Sequence, residues 1–458
     1  SMIDLSRQLY PDLKRPIIVT GITTIAGIMG VLTHTLVPAS QIGVLAGLGI
    51  AIALMLSIWF IPALLSYFTP VRIKKSSKGK RLISVDRWLN QASRWVTTYP
   101  KRVMIIASLV GILGMGGIFL IRVDTNIEGY FLGKSKVARG IELINTKLGG
   151  SQFMSILFTG DVLSPDLLRR MESYEKVLGE DPAVGNVSSP LTLVKELSKG
   201  FYYPGEEGYG EIPDTENEVY QFLEIFSMGG NEETVEQFVD YYYENSRLLV
   251  SLKDASNDEG KRLLKKMQEM TKDDPDVKYI AGPTLTKIAL AEMVIRGQIK
   301  SLLLAMVVVY FLIALIYRSA RAGLLSVLPL SVAILILFGF MGYLGIKLDI
   351  ATALISSVMI GVGIDYTIHF LWRFKEERSR GIEHKEAAYI TLTTTGRGII
   401  INALSVIVGF LALTLSSFEP LKFFGGLVVI SISSCLMSAL VLIPSIVVIF
   451  KPRYLEPK

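Results

Sequence analysis

The chain has 458 residues, 50% of them hydrophobic, with a mean hydropathy of +0.46. That average is too high for an ordinary soluble protein, and apolar runs near the length a helix needs to cross a bilayer recur along it. The net charge is +6, with one cysteine (Cys435) and three scattered histidines (His34, His369 and His384), so an intrachain disulfide is excluded and no metal centre is expected.

Ser1 ahead of Met2 reads as a tag scar at an engineered start. No cleavable signal peptide is expected, because polar sequence follows and the first apolar run is long enough to span. That run covers 17–36 and carries Thr20, Thr23 and Thr24 on one side. Threonines at this spacing either bond back to their own helix or line an ion path, and both readings stand. A second span covers 42–67, where Gly43 and Gly47 suit close helix packing. Residues 71–102 are strongly basic, which places them in the cytoplasm. Within them Trp88, Leu89, Ala92, Trp95 and Val96 share one helical face, as in a helix lying on the inner leaflet. A third span, 103–121, then leads into a polar stretch, 122–298, long enough for a domain of its own.

In that stretch strands are expected at 152–159, 184–188, 247–252 and 277–281, with helices at 165–178 and 259–271. Two β-α-β units in succession predict a ferredoxin-like α+β domain. The acidic run 206–244 reads as a solvated face, and Tyr241, Tyr242 and Tyr243 read as core in preference to a greasy contact. Spans resume at 301–316 and 324–344, then 350–372, 399–415 and 425–450, forming a five-helix bundle over 299–452 before a short tail, 453–458. The fold class is therefore a polytopic α-helical membrane protein of about eight transmembrane helices. The basic residues Arg15, Arg318, Arg321, Lys451 and Arg453 and the charged stretch 373–397 fall on the side of the 71–102 segment. The 122–298 domain falls on the other, extracytoplasmic side of the cell membrane. Positive charge clustered beside spans in this way gives no reason to expect a nucleic-acid partner.

Asp365 lies inside the 350–372 span, where a carboxylate costs about 2.5–3.5 kcal/mol and is usually functional. Gly361 precedes it and His369 follows it by four residues, so the three share one helix face. Asp365 reads either as a proton carrier or as a structural carboxylate bonded to a neighbouring helix.

The chain also repeats itself. Residues 15–70 align without gaps onto 397–452, pairing Arg15 with Arg397, Gly27 with Gly409, Pro38 with Pro420, Gly43 with Gly425 and Pro62 with Pro444. Thr20 and Thr23 pair with Asn402 and Ser405, so the polar seam recurs. Both copies run in the same direction by charge, which makes this a parallel repeat. Residues 1–70 read as the last two helices of a first repeat whose other elements have no counterpart here, pointing to the C-terminal part of a longer protein; a naturally short protein working as an oligomer is the alternative.

The order of span, extracytoplasmic β-α-β domain and five further spans, with Gly361-Val362-Gly363-Ile364-Asp365-Tyr366 in the fourth of six, resembles the resistance-nodulation-division superfamily. Within it the motif is closest to the MMPL group and related predicted exporters, and it is similar to the sterol-sensing domain of Patched-like proteins. The resemblance implies proton-driven export of lipids or other hydrophobic cargo without a bound cofactor. Asp365 would carry the proton, with Tyr366 as its hydrogen-bonding partner, Gly361 and Gly363 as packing positions, and a porter domain over 122–298. Asn402 and Ser405 are candidates to contact the Asp-bearing helix, and His369 either shuttles protons or sits at the interface. The second Asp-Tyr pair of the family would come from a missing repeat half or a second copy, and an oligomer stays open. A non-transporting lipid or sterol sensor and a protein-translocation accessory are alternatives. An enzyme is not expected: there is no nucleotide-binding loop, no Ser/His/Asp arrangement and no metal-ligand cluster.

Overall fold

The computed structural model describes residues 2–67, 83–125, 127–131, 135–253 and 256–456. The chain forms two compact units, one of residues 1–123 with 293–458 and one of residues 124–292. Among the described residues eight helices are long and apolar enough to cross a membrane: Lys14–Thr33, Val37–Leu64, Pro100–Ile118, Pro283–Ile316, Ala320–Tyr343, Ile350–Ser379, His384–Leu415 and Glu419–Phe450.

The first unit opens with α1 (Met2–Met29), α2 (Val37–Met55) and α3 (Ile61–Ser66). Then come α4 (Ile83–Thr98) and α5 (Pro100–Ile118). In the second unit, α6 (Lys136–Lys147) precedes β1 (Gln152–Thr159), α7 (Pro165–Gly179), β2 (Val184–Ser188) and α8 (Pro190–Phe201). These are followed by α9 (Glu216–Phe226), α10 (Glu232–Glu236), β3 (Asn245–Leu252), α11 (Asn257–Thr271) and β4 (Val277–Ala281). The chain returns to the first unit through α12 (Pro283–Ile316), then α13 (Ala320–Tyr343), the short α14 (Ile350–Ala353) and α15 (Ile355–Ser379). It ends with α16 (His384–Leu411), α17 (Glu419–Met437) and α18 (Ile443–Phe450).

The internal repeat is carried by the backbone itself. The 3-10 turn Gly30–Thr33 recurs as Ala412–Leu415, and the π turn Leu56–Phe60 recurs as Ser438–Leu442, each at the aligned positions. Pro62 and Pro444 follow the two π turns. A proline lacks the N–H for the helical bond and crowds the carbonyl four residues earlier, so the helix takes up an extra residue there. The interhelical contact is repeated too. A Cβ on Gly43 would fall 3.2 Å from Val31 Cβ, and one on Gly425 would fall 2.8 Å from Leu413 Cβ, at aligned positions.

Elsewhere small residues set the packing, since lipid supplies little hydrophobic drive between helices. A Cβ on Gly114 of α5 would fall 2.5 Å from the Leu335 carbonyl oxygen of α13, and one on Gly117 would fall 2.7 Å from Gly339 Cα. The α4 helix corrects one expectation. Its Leu89, Ser93, Val96 and Thr97 are buried, and it packs on α16 and α18 instead of offering that face to a leaflet. Tyr389 of α16 donates to Asn90 Oδ1 at 3.2 Å. Trp95, expected on the leaflet-facing side together with Leu89 and Val96, is exposed while those two are buried, and basic positions 71–82 lie outside the described residues.

The second unit is built on a four-stranded antiparallel sheet in the order β2-β3-β1-β4, so the strands of the two β-α-β units interleave. β3 alternates in burial along its length, as a strand with one face on a core does. Met154, Ile156, Phe158, Leu168, Met171, Leu248, Val250, Leu263 and Met267 join sheet and helices into that core. Ser135, Ser189, Thr215 and Ser256 cap α6, α8, α9 and α11, which explains where these helices start. The tyrosine run is not core: Tyr241 and Tyr242 are 82% and 76% exposed, and only Tyr243 turns inward, where its hydroxyl donates to Glu224. The run lies in a turn, where neither helical nor strand periodicity directs three successive rings to one side.

Candidate functional site

The site forms where α15 meets α1. Asp365 is half-buried on α15, and Thr24 Oγ1 of α1 lies 2.8 Å from its Oδ1. Thr20 and Thr23 bond only to carbonyls of their own helix, and of the three seam threonines Thr24 is the one that also reaches a second helix. Among the described residues no lysine or arginine is ion-paired with Asp365. Thr24 Oγ1 is also 2.8 Å from the Thr20 carbonyl oxygen. One hydroxyl hydrogen cannot serve both acceptors. Ionised, Asp365 accepts it; protonated, Asp365 donates its own hydrogen to Thr24 Oγ1, and the hydroxyl turns to Thr20.

Glycines bring the two helices to this distance. A Cβ on Gly27 would fall 3.0 Å from Gly361 Cα, and one on Gly361 would fall 2.8 Å from Ile28 Cγ1 and 3.2 Å from the Thr24 carbonyl oxygen. Gly363 lies two residues on, so it faces the other way, against Cys435 of α17 and Leu330 of α13.

Three expected contacts are not made. The Tyr366 hydroxyl is buried with no hydrogen-bond partner among the described residues, so it does not bond Asp365. Adjacent residues on a helix point about 100° apart, which carries the ring to another face. Asn402 and Ser405 are exposed on α16, and Ser405 Oγ donates to its own helix at Ile401 O. The buried face of α16 is made instead by Gly396, Ile399, Ile400 and Ala403. His369 is half-buried one turn beyond Asp365, on a stripe that includes Leu354, Val358, Val362, Asp365, His369 and Trp372. Thr24, the residue that does meet Asp365, was legible only as one of three equivalent seam positions.

A model of the MMPL family matches residues 10–103 and 206–458. The chain belongs to the MMPL family. A membrane protein of Methanocaldococcus jannaschii is 26% identical to this MMPL protein over 305 residues, 65% of this chain and 74% of that one. The apo-petrobactin exporter of Bacillus anthracis is 24% identical over 176 residues, 37% of this chain and 24% of the exporter. The hedgehog release protein Disp of the water bear Hypsibius dujardini covers 98% of this chain with a TM-score of 0.62 at 11% identity, a likeness of fold. The MMPL chain spans three quarters of the archaeal relative, 61% of Disp and about a quarter of the exporter.

Proposed function

We propose that this MMPL protein is part of a proton-driven exporter of lipids or other hydrophobic compounds, with Asp365 as the proton carrier. The observation that carries the reading is the Thr24–Asp365 contact: a carboxyl inside a membrane helix, given one hydrogen-bond partner that serves either protonation state. A proton moving through the membrane field yields about 2.3 kcal/mol per 100 mV. Neutralising Asp365 removes the cost of holding a charge between α1 and α15, which biases those two helices towards a different packing. The basic segments then mark the cytoplasmic side. The 124–292 unit, whose strand order is that of a split β-α-β sheet, is an extracytoplasmic porter domain of ferredoxin-like type.

The repeat supports a partner at this site. Gly27 packs on Gly361, but its counterpart Gly409 has nothing near it, and Asn402 and Ser405 are exposed beside it. The α16 face is thus suited to a second Gly- and Asp-bearing helix, from another repeat half or another subunit.

The test is transport of fluorescent lipid by the protein in proteoliposomes under an imposed pH gradient. Wild-type protein is expected to move lipid and Asp365→Asn to fail. Equal transport by both removes the reading. Stoichiometric sterol or lipid binding without transport favours a sensor instead; the 34% identity to human protein patched homolog 2 over 133 residues is what recommends that second reading.

A further inference from the structure

One buried polar cluster is not used by the Thr24–Asp365 pair. It lies within the first unit, where the start of α15 meets residues 297–301 of α12. His34 and Gln298 are 6% and 4% exposed, and Ser301, Ser356 and Ser357 are each 1% exposed. Gln298 Nε2 donates to Ser356 Oγ, Ser301 Oγ donates to the Gln298 carbonyl oxygen at 3.1 Å, and Ser357 Oγ approaches Ser301 Oγ at 3.5 Å. His34 Nδ1 accepts from the Leu36 N–H, which leaves the proton of a neutral ring on Nε2.

Two atoms in this network are orphaned. His34 Nε2, a donor in that tautomer, and Gln298 Oε1, an acceptor, are both buried with no partner among the described residues. Buried polar groups are nearly always satisfied by protein or by ordered water. The His34 ring rests on Gly297, next in sequence to Gln298: a Cβ there would fall 2.5 Å from His34 Cε1 and 2.8 Å from Nε2. Any side chain at 297 would push the imidazole out of the cluster.

The cluster also aims at the carboxylate. Ser357, Gly361 and Asp365 follow one another at intervals of four residues along one face of α15. At about 1.5 Å per residue, Ser357 stands roughly 12 Å from Asp365 along the helix. Between them lies the main-chain contact of Gly27 with Gly361, which the Ile28 side chain covers.

We propose that His34, Gln298, Ser301, Ser356 and Ser357 hold a short file of water through which protons reach Asp365, and that the Gly27–Gly361 contact closes its inner end. This rests on the reading of Asp365 as a proton carrier. His34 Nε2 and Gln298 Oε1 bind the first waters, and the serine hydroxyls, each able to donate and accept, pass the proton inward. Separation of α1 from α15 at the two glycines would join the file to Asp365 in one conformation and cut it off in the other.

The experiment measures proton flux with a pH-sensitive dye in proteoliposomes, with protein orientation sorted and the acid on one side at a time. Gln298→Leu and the milder pair Ser356→Ala with Ser357→Ala are expected to slow flux about tenfold when the acid is on the cluster's side. His34→Gln, which keeps a donor, is expected to retain more flux than His34→Phe. Wild-type flux in Gln298→Leu and in the serine pair, with Asp365→Asn inactive, overturns the water file and leaves Asp365 as carrier. Wild-type flux in Asp365→Asn overturns both. The serine pair removes only two hydroxyls, so its result stands even if Gln298→Leu fails to fold.

Discussion

The hydroxyl of Thr24 lies 2.8 Å from Oδ1 of Asp365, joining two helices whose residues are 341 positions apart in the chain. A hydrogen bond to a charged group contributes about 1.5–3 kcal/mol. Thr24→Val is therefore expected to change the proton-coupled transport rate about ten- to hundredfold, while Thr24→Ser stays near wild type because it keeps the oxygen. Transport rates in proteoliposomes check this, and a Thr24→Val rate equal to wild type would show the contact to be idle.

The two glycines of the repeat make unequal predictions. Gly27 meets the backbone of Gly361, which cannot move aside as a flexible side chain can. Gly27→Val is expected to destabilise the bundle by about 1–3 kcal/mol, the usual range for overpacking. Gly409 has nothing within 4 Å, so Gly409→Val is expected to leave the isolated chain within about 0.5 kcal/mol. Thermal unfolding in detergent compares them. Loss of transport in Gly409→Val without loss of stability would locate the partner helix on α16.

Asp181 organises the second unit. Its side chain is 4% exposed and accepts from Arg262 at 2.7 and 2.9 Å and from Lys266 at 3.0 Å. Hydrogen bonding from Arg262, with Lys266 and the Ala183 N–H adding to it, holds the carboxyl well below the usual carboxylate range. Because the folded value is depressed, the stabilisation is complete above the unfolded value, about 3.9, and is lost as pH falls below it towards the folded value. Both cations are partly exposed, so the expected cost of Asp181→Asn at pH 7 is only about 1–3 kcal/mol. Hydrogen exchange of β1 and β3 at pH 7 and below pH 4 measures it, and the wild-type advantage is expected to shrink at the lower pH.

The tyrosine run separates exposure from burial at successive positions. Tyr241→Ala and Tyr242→Ala are expected to change stability by less than about 0.5 kcal/mol. Tyr243→Phe removes the bond to Glu224 and is expected to cost about 1 kcal/mol. Chemical unfolding followed by hydrogen exchange in this segment ranks the three.

The fold was largely legible because its signals are local. Apolar runs near 20 residues stand out in composition, and the four strands are bounded by turn residues and capped helices. The paired π turns were not expected, although the aligned prolines at 62 and 444 carry their cause, because a missing N–H acts on its own helix wherever that helix is placed. What was misread needed a direction in space. Tyr366 was paired with Asp365 through the family resemblance, yet a helix turns neighbours apart. Asn402 and Ser405 were placed at the carboxylate as members of the repeated seam, yet the two copies of that seam face different surroundings.

By itself the sequence determined the membrane class, the eight spans, the inserted β-α-β unit, the repeat and the presence of a carboxylate, Asp365, within a span. Each follows from hydrophobicity, turn chemistry or the cost of charge in lipid, and those act residue by residue. Only the tertiary structure decided that Thr24 is the residue beside Asp365, that Gly27 and Gly361 bring their helices together, and that the His34 ring rests on Gly297 next to the Gln298–Ser356 pair. Those contacts depend on which helix packs against which face, a choice made by the summed packing of the bundle and not by any one segment.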